Sequence, residues 1–407
     1  MNNQFASFLK QRWVCMVACL FICICAGFGY SWSVLQTPII QAHSWSDSQV
    51  SLTYTIQVVC STMSPLIFGA LIRKLGAKRC VLVGSVLYGA GLLLSGVMQS
   101  VWQLYFFYGI LAGLGVGFVY PTVMAYVVRV FPDRAGMASG LATAAYGSGA
   151  ILWAPVTVGI IDSLSIHLAF VILGIAFLVI ILVGAILLRE PPEGFAQRVS
   201  PAASGNGEGG EKGLCRKEMV KTGSFYLMVA IFTCGLVAGV IVISQASPIL
   251  QSAFGYTASS AAVLVSVISA CNMAGRFFWG SISDKIGLFR AAFGVFAICI
   301  VSMAALSVLS AAVPAVIAMC VAASCYGGFA SILTPMTAKM FGAKYVSENY
   351  GVMYVVFGLA SLIGPVLAVQ FKTAGGSYTG AFVAAAALAA VGLALSFVLQ
   401  FKNKKEN

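Results

Sequence analysis

Polar and charged residues break this chain into twelve apolar runs, most of them 20 to 28 residues long. A hydrocarbon core about 30 Å thick takes roughly 20 helical residues per crossing, so each run predicts one membrane-spanning helix. The spans read as 13–40, 48–71, 80–99, 102–128, 136–161, 167–188, 224–252, 258–282, 290–310, 313–338, 347–371 and 378–401. A membrane barrel would show segments of about ten residues with alternating polarity. The runs lack that alternation, and the pattern predicts an all-α membrane protein with no room for a soluble catalytic or DNA-binding domain.

One stretch differs from the rest. Residues 190–223 are rich in Gly, Ser, Pro and charge, the composition of a flexible linker. They divide the spans six and six. The expected organisation is an N-terminal six-helix bundle over 1–189, a cytoplasmic linker over 190–223 and a C-terminal six-helix bundle over 224–407. The halves also repeat weakly. Gly69, Lys74, Gly76 and Arg79 after the second span match Gly280, Lys285, Gly287 and Arg290 after the eighth, each at an offset of 211 residues. Gly140 and Gly147 in the fifth span match Gly351 and Gly358 in the eleventh at the same offset, with Pro155 and Pro365 beyond them. Two pseudo-symmetric six-helix repeats describe a carrier that rocks around a central site.

Composition agrees: 60% of residues are apolar, 8% are charged and mean hydropathy is +0.98. The net charge of +12 is explained by where the cations sit. Of 23 Lys and Arg, 21 lie in the two termini and the loops after even-numbered spans, while the loops after odd-numbered spans hold only Lys372. Positive loops stay cytoplasmic, so both termini are expected inside a plasma (inner) membrane, with lipid rather than nucleic acid as the surroundings. The first apolar run is longer than a signal-peptide core and is expected to be retained as the first helix. Nearly all of the cysteines lie in apolar runs, where Cys acts as a small hydrophobe. The only histidines, His43 and His167, fall in short outer loops, so neither a disulfide, a metal site nor a cofactor is expected.

Enzyme chemistry lacks its parts. No His, Asp or Glu lies well inside any span, which removes the bases and ligands that intramembrane proteases need. AYGSGA around Ser148 and GLGVG from Gly113 to Gly117 read as close helix packing by small residues, not as a nucleophile motif or a dinucleotide loop. Arg276 is different. It is the only Lys, Arg, Asp, Glu or His well inside a span, and Arg near the bilayer centre costs about 2.5–3.5 kcal/mol on insertion scales. Helical side chains lean toward the helix N-terminus, so Arg276 points toward the midplane, away from the nearer interface. A guanidinium there is suited to an anion, and its planar fork matches a carboxylate. Asn272, one turn earlier on the same face, can orient it or donate to a substrate oxygen.

Gly-x-Leu/Ile-x-Asp-Lys/Arg-x-Gly-x-x-Arg after the second and eighth spans, the long central loop and twelve inside-ended spans resemble the major facilitator superfamily over essentially the full length. The resemblance implies the major facilitator fold, and a conformational latch at Gly69, Gly76, Arg79, Gly280, Asp284, Gly287 and Arg290. The first motif copy carries Arg73 where the family has an acidic residue, whereas the second keeps Asp284. The stronger latch is therefore expected from Asp284 toward the start of the fifth helix, around Asp133 and Arg134.

YSW from Tyr30, FVYPT around Tyr120, FPDRAG from Phe131, NMAGRFFWGSISDKIG from Asn272, and NYG followed by MY up to Tyr354 are similar to the oxalate/formate antiporters and the related bacterial monocarboxylate transporters. That likeness implies that Arg276 and Asn272 bind a substrate carboxylate, with Tyr30, Tyr120, Tyr146 and Tyr354 as cavity walls. Oxalate carriers of the family have a Lys in the eleventh helix where Phe357 stands here. A dianion held by Arg276 alone would leave net charge in a low-dielectric cavity, so a monocarboxylate such as formate, lactate or pyruvate is favoured over oxalate. Gln57 and Gln245 add polar groups that can reach the substrate or hydrogen-bond between helices. The expected activity is transport, by anion exchange or proton-linked symport, from a monomer. An oxalate:formate antiporter and an exporter of lipophilic drugs remain the alternatives within the same fold.

Overall fold

The computed structural model describes residues 3–192, 195, 213–342 and 345–406. All regular structure among them is helical. Among the described residues, twelve helices are long and apolar enough to cross a membrane: α1 Ser7–His43, α2 Asp47–Phe68, α3 Leu75–Ser95, α4 Val101–Val130, α5 Gly140–Ser163, α6 Ile166–Leu187, α7 Gly223–Phe254, α8 Ala258–Ser283, α9 Leu288–Val308, α10 Ala312–Phe341, α11 Asn349–Gly375 and α12 Thr379–Asn403. Twelve crossings bring both termini to one end of the bundle, called the near end below. The opposite end, where α1 meets α2 and α7 meets α8, is the far end.

Polar caps start these helices where the sequence changes from loop to apolar run. Ser46 caps α2 by accepting from the Gln49 N–H while the Gln49 side chain accepts from the Ser46 N–H, a reciprocal box that satisfies two otherwise orphaned donors. Ser165, Thr222 and Thr257 accept in the same way at the starts of α6, α7 and α8. Large apolar side chains such as Val301, Val308 and Phe401 are exposed, a surface suited to lipid and a liability in water.

Small residues let the helices approach closely. A Cβ on Gly115 would stand 2.5 Å from the Tyr88 backbone nitrogen, and one on Gly113 would stand 2.7 Å from the Gln57 carbonyl oxygen. GLGVG is thus the seam by which α4 packs against α2 and α3. The sequence repeat has a backbone counterpart in Gly76 and Gly287, with φ of 75° and 91°. Both turn the chain at equivalent places in the two halves, with ψ of 168° and 149°, in an extended positive-φ region that costs an L side chain about 1–3 kcal/mol.

The described ends of the central linker are docked. The Phe195 ring packs 4.9 Å from Phe8 and 5.3 Å from Phe5 at the start of the chain. At the other side, the Leu214 N–H donates to the Phe341 carbonyl and the Asn349 amide donates to the Leu214 carbonyl. Residues 193–194 and 196–212 lie outside the described residues.

Candidate functional site

α1, α5 and α11 each interrupt their α-geometry beside a tyrosine named above. α1 contains a 3₁₀ turn over Gly27–Ser31, which includes Tyr30. α5 breaks at Ser148, two residues after Tyr146, and α11 breaks at Tyr354 itself. The first two breaks are one packing event. A Cβ on Gly27 would fall 2.0 Å from the Tyr146 carbonyl oxygen, and one on Gly149 would fall 2.4 Å from the Gly27 carbonyl. Only glycines let α1 and α5 cross so closely, and their crossing sets Tyr30 beside Tyr146. Sequence pattern alone had drawn the first span as one uninterrupted helix. A 3₁₀ turn keeps apolar composition and nearly helical spacing, so it leaves no mark in the hydrophobic pattern.

The rings form a connected wall. Tyr30 meets Tyr146 edge-on at 5.4 Å, Tyr146 meets Tyr120 at 4.2 Å, and Tyr120 faces Tyr354 of the other half at 6.3 Å. Phe357 lies 4.9 Å from Tyr354 and 5.9 Å from Tyr326, and Tyr326 returns to Tyr30 at 6.3 Å. Tyr326 of α10 and Tyr350 of α11 are members that sequence reasoning missed. Tyr350 adjoins Tyr354 at 5.9 Å. The available signal was the hydroxyl-bearing aromatic in the mainly small-residue stretch ASCYGG of α10, where Gly239 of α7 makes room for the Tyr326 ring.

Arg276 projects into this wall and is 8% exposed. One terminal nitrogen donates to the Tyr30 hydroxyl at 2.9 Å, across the two halves, and Nε donates to Asn272 Oδ1 at a long 3.4 Å. A guanidinium has five N–H donors, so three remain without a protein partner among the described residues. No acidic side chain pairs with Arg276 among the described residues. A hydrogen bond to a charged group contributes about 1.5–3 kcal/mol, so the Tyr30 bond offsets much of the insertion cost without neutralising the charge. Gly147 lies against the guanidinium, where a Cβ would come within 3.1 Å of Nε.

Asn272 is 1% exposed and its Nδ2 has no partner among the described residues. Beside it, on the far side of Arg276, is a cavity of about 10 Å³ lined by Tyr30, Ala246, Val265, Ser269 and Asn272 among others. That volume is at the lower limit for one water molecule. Gln57 is buried beside the α1 turn, its Oε1 3.7 Å from where a Gly29 Cβ would stand. Gln245 is committed elsewhere: it exchanges hydrogen bonds with Gln36 at 3.2 and 3.0 Å and donates to Ser51.

Of the motif residues expected to latch the halves, Gly76 and Gly287 make the turns described above, and Arg79 and Arg290 are exposed at the near end. The side chains at positions 69 and 284, hence the Gly69 and Asp284 expectations, lie outside the described residues. The residues expected to receive the latch are engaged within their own half. Arg12 grips Asp133 through two bonds of 2.7 and 3.1 Å, with Arg134 Nε 3.9 Å away. Burial pushes the Asp133 carboxyl up, but the hydrogen bonds and charge of Arg12 outweigh it and hold the group below the usual carboxylate range.

A guanidinium among tyrosines where two helix bundles meet, beside broken helices, is a candidate central site of the kind that carriers build from discontinuous helices. The chain matches the family model of the Major Facilitator Superfamily over residues 17–334, and it belongs to that superfamily. It is 28% identical over 380 residues to the oxalate:formate antiporter of Oxalobacter formigenes, covering 92% of this chain and 89% of that one. It is 26% identical over 406 residues to monocarboxylate transporter 12 of Rattus norvegicus, with 91% and 82% covered. Among solved structures, a bacterial homolog of the human lysosomal transporter Spinster, inward-facing and unoccupied, aligns with a TM-score of 0.73 at 16% identity over 96% of this chain and 97% of that one. The protein is therefore an integral membrane transporter.

Proposed function

We propose that this protein carries small monocarboxylates of the formate, lactate or pyruvate type across a bacterial inner membrane by alternating access, with Arg276 as the carboxylate-binding residue. The observation that carries this reading is the buried guanidinium with three spare donors and no acidic partner among the described residues. A carboxylate takes two parallel hydrogen bonds from such a fork and cancels its charge. Asn272 Nδ2 supplies a further donor, and the tyrosine wall supplies apolar faces with hydroxyl rims for a short carbon chain. The two relatives named above are an oxalate:formate antiporter and a monocarboxylate transporter, which supports an organic anion as cargo.

Between those two classes, Phe357 favours the monoanion. It packs between Tyr354 and Tyr326, so the wall opposite Arg276 is aromatic, and a second carboxylate would face rings in place of a cation. Exchange of one anion for another fits an empty site that holds an unneutralised charge, with proton-linked symport as the other coupling open to it. The positive-loop bias orients the near end toward the cytoplasm, and a monomer suffices for the site. Counterflow in proteoliposomes with a panel of short labelled acids tests the reading. Formate, lactate or pyruvate should exchange well above oxalate, and Arg276→Ala should abolish exchange of all of them. Wild-type rates in that variant, or a preference for oxalate, would overturn it.

A further inference from the structure

Lys372 is an anomaly of topology, the single cation in loops that otherwise hold none. The structure gives it a partner in the opposite half. Its ammonium sits 2.5 Å from the Asp47 carboxylate, and both side chains are 27% exposed. Asp47 stands in the first turn of α2 and Lys372 in the last turn of α11. Each charge is thus the sign that its helix end stabilises, an anion at an N-terminus and a cation at a C-terminus. The Tyr378 ring closes over the ammonium at 5.7 Å.

The pair ends a seam. Inward along the same two helices, the Thr55 hydroxyl donates to the Ser361 carbonyl at 2.7 Å, and Gly358 admits Thr62 so closely that a Cβ would stand 2.5 Å from its hydroxyl. On the other flank of the far mouth, Ser259 of α8 donates to Asp162 of α5 at 3.1 Å. We infer that the Asp47–Lys372 pair is a clasp on the far mouth: it holds α2 and α11 together while the site is closed to that side, and it breaks whenever that side opens. It uses no residue of the candidate site, and it rests on alternating access alone, whatever the cargo.

Spin labels on Gln99→Cys and Ala311→Cys, in far-end loops of opposite halves, read the separation by pulsed electron resonance. Among the described residues no native cysteine is exposed to compete for label. Lys372→Met and Asp47→Asn should each raise the population with separated far ends by about two- to tenfold, the range set by a partly exposed ion pair at two helix ends. The double variant should shift no further than the larger single, because one contact can be lost only once. Lys372→Arg, which keeps the charge, should retain the closed distribution, and Glu190→Gln, which removes an exposed pair at the near end, should leave it unchanged. An unchanged distribution in either single variant, or additive shifts in the double, would overturn the clasp. If carboxylate exchange persisted under that result, the proposed cargo would stand without it.

Discussion

The two ends of the bundle hold themselves together differently. At the far end, polar contacts cross from one half to the other: Asp47 to Lys372, Ser259 to Asp162, Gln36 to Gln245 and Thr55 to Ser361. At the near end, the described pairs stay within a half, as Arg12 with Asp133 and Arg129 with Glu190 do, or tie the linker to its neighbour, as Asn349 does with Leu214. Arg276 lies about 10 Å from the near end of α8 at 1.5 Å per residue, and Ser266 and Ser269 fasten the helix to α5 on its far side. Contacts within a half make each half a rigid body, while contacts between halves decide which mouth is shut. The conformation described is closed at the far end, and its site lies on the near side of the closing contacts.

Variants separate these roles, and the largest effect belongs between the two ends. Arg276→Ala removes the charge and the Tyr30 bridge together, and should lower carboxylate exchange at least about 100-fold, the equivalent of some 3 kcal/mol of charge-assisted binding. Arg276→Lys should recover only part of it, since an ammonium lacks the planar fork. If Arg276→Ala bound labelled carboxylate normally, the centre would be a structural bridge only.

Next comes the α1–α5 crossing. Gly27→Ala or Gly149→Ala forces a methyl onto backbone atoms and should cost about 1–3 kcal/mol, read as a lower melting temperature in detergent. Exchange should fall as well, because Tyr30 and Tyr146 move with the crossing. Retained stability with retained exchange would show that the helix breaks do not position the site.

A narrower effect tests the repeat. Gly76→Ala and Gly287→Ala should each lose about 1–3 kcal/mol through the same positive-φ penalty. Similar losses would show that the copies are equivalent as turns, although Arg73 replaces the acidic residue in the first. The smallest effect is electrostatic. Because the Asp133 carboxyl is held below its ordinary value, its pairing contributes fully above the unfolded pKa of about 3.9 and is lost as pH falls through the lower folded value. The melting difference between wild type and Asp133→Asn should therefore be present at pH 7 and fade in acid. A difference that persisted unchanged would mean that the pair is not its source.

Much of the fold was legible because a bilayer imposes one rule on every span: enough apolar residues to cross, with the backbone satisfied internally. Polar breaks between apolar runs marked the helices, and the glycines of GLGVG marked a close seam. Within the candidate site, Arg276 announced itself by the cost of its position, and Asn272 by its spacing from Arg276. Tyr326 gave only the weaker sign of its small-residue neighbours, since a tyrosine in an apolar helix is equally at home in core packing or at an interface. Gln57 and Gln245 looked alike in sequence, yet one faces the broken turn of α1 and the other is held by Gln36 and Ser51.

Sequence by itself determined the number of crossings and the cation deep inside a span, because solvation by hydrocarbon is a property each residue carries wherever the chain folds. Tertiary structure alone decided that Tyr326 and Tyr350 join the wall, that Lys372 answers Asp47 across 325 positions, and which mouth is shut. Those are pairings between distant residues. Their energies depend on distance and orientation, which a hydrophobic pattern does not encode.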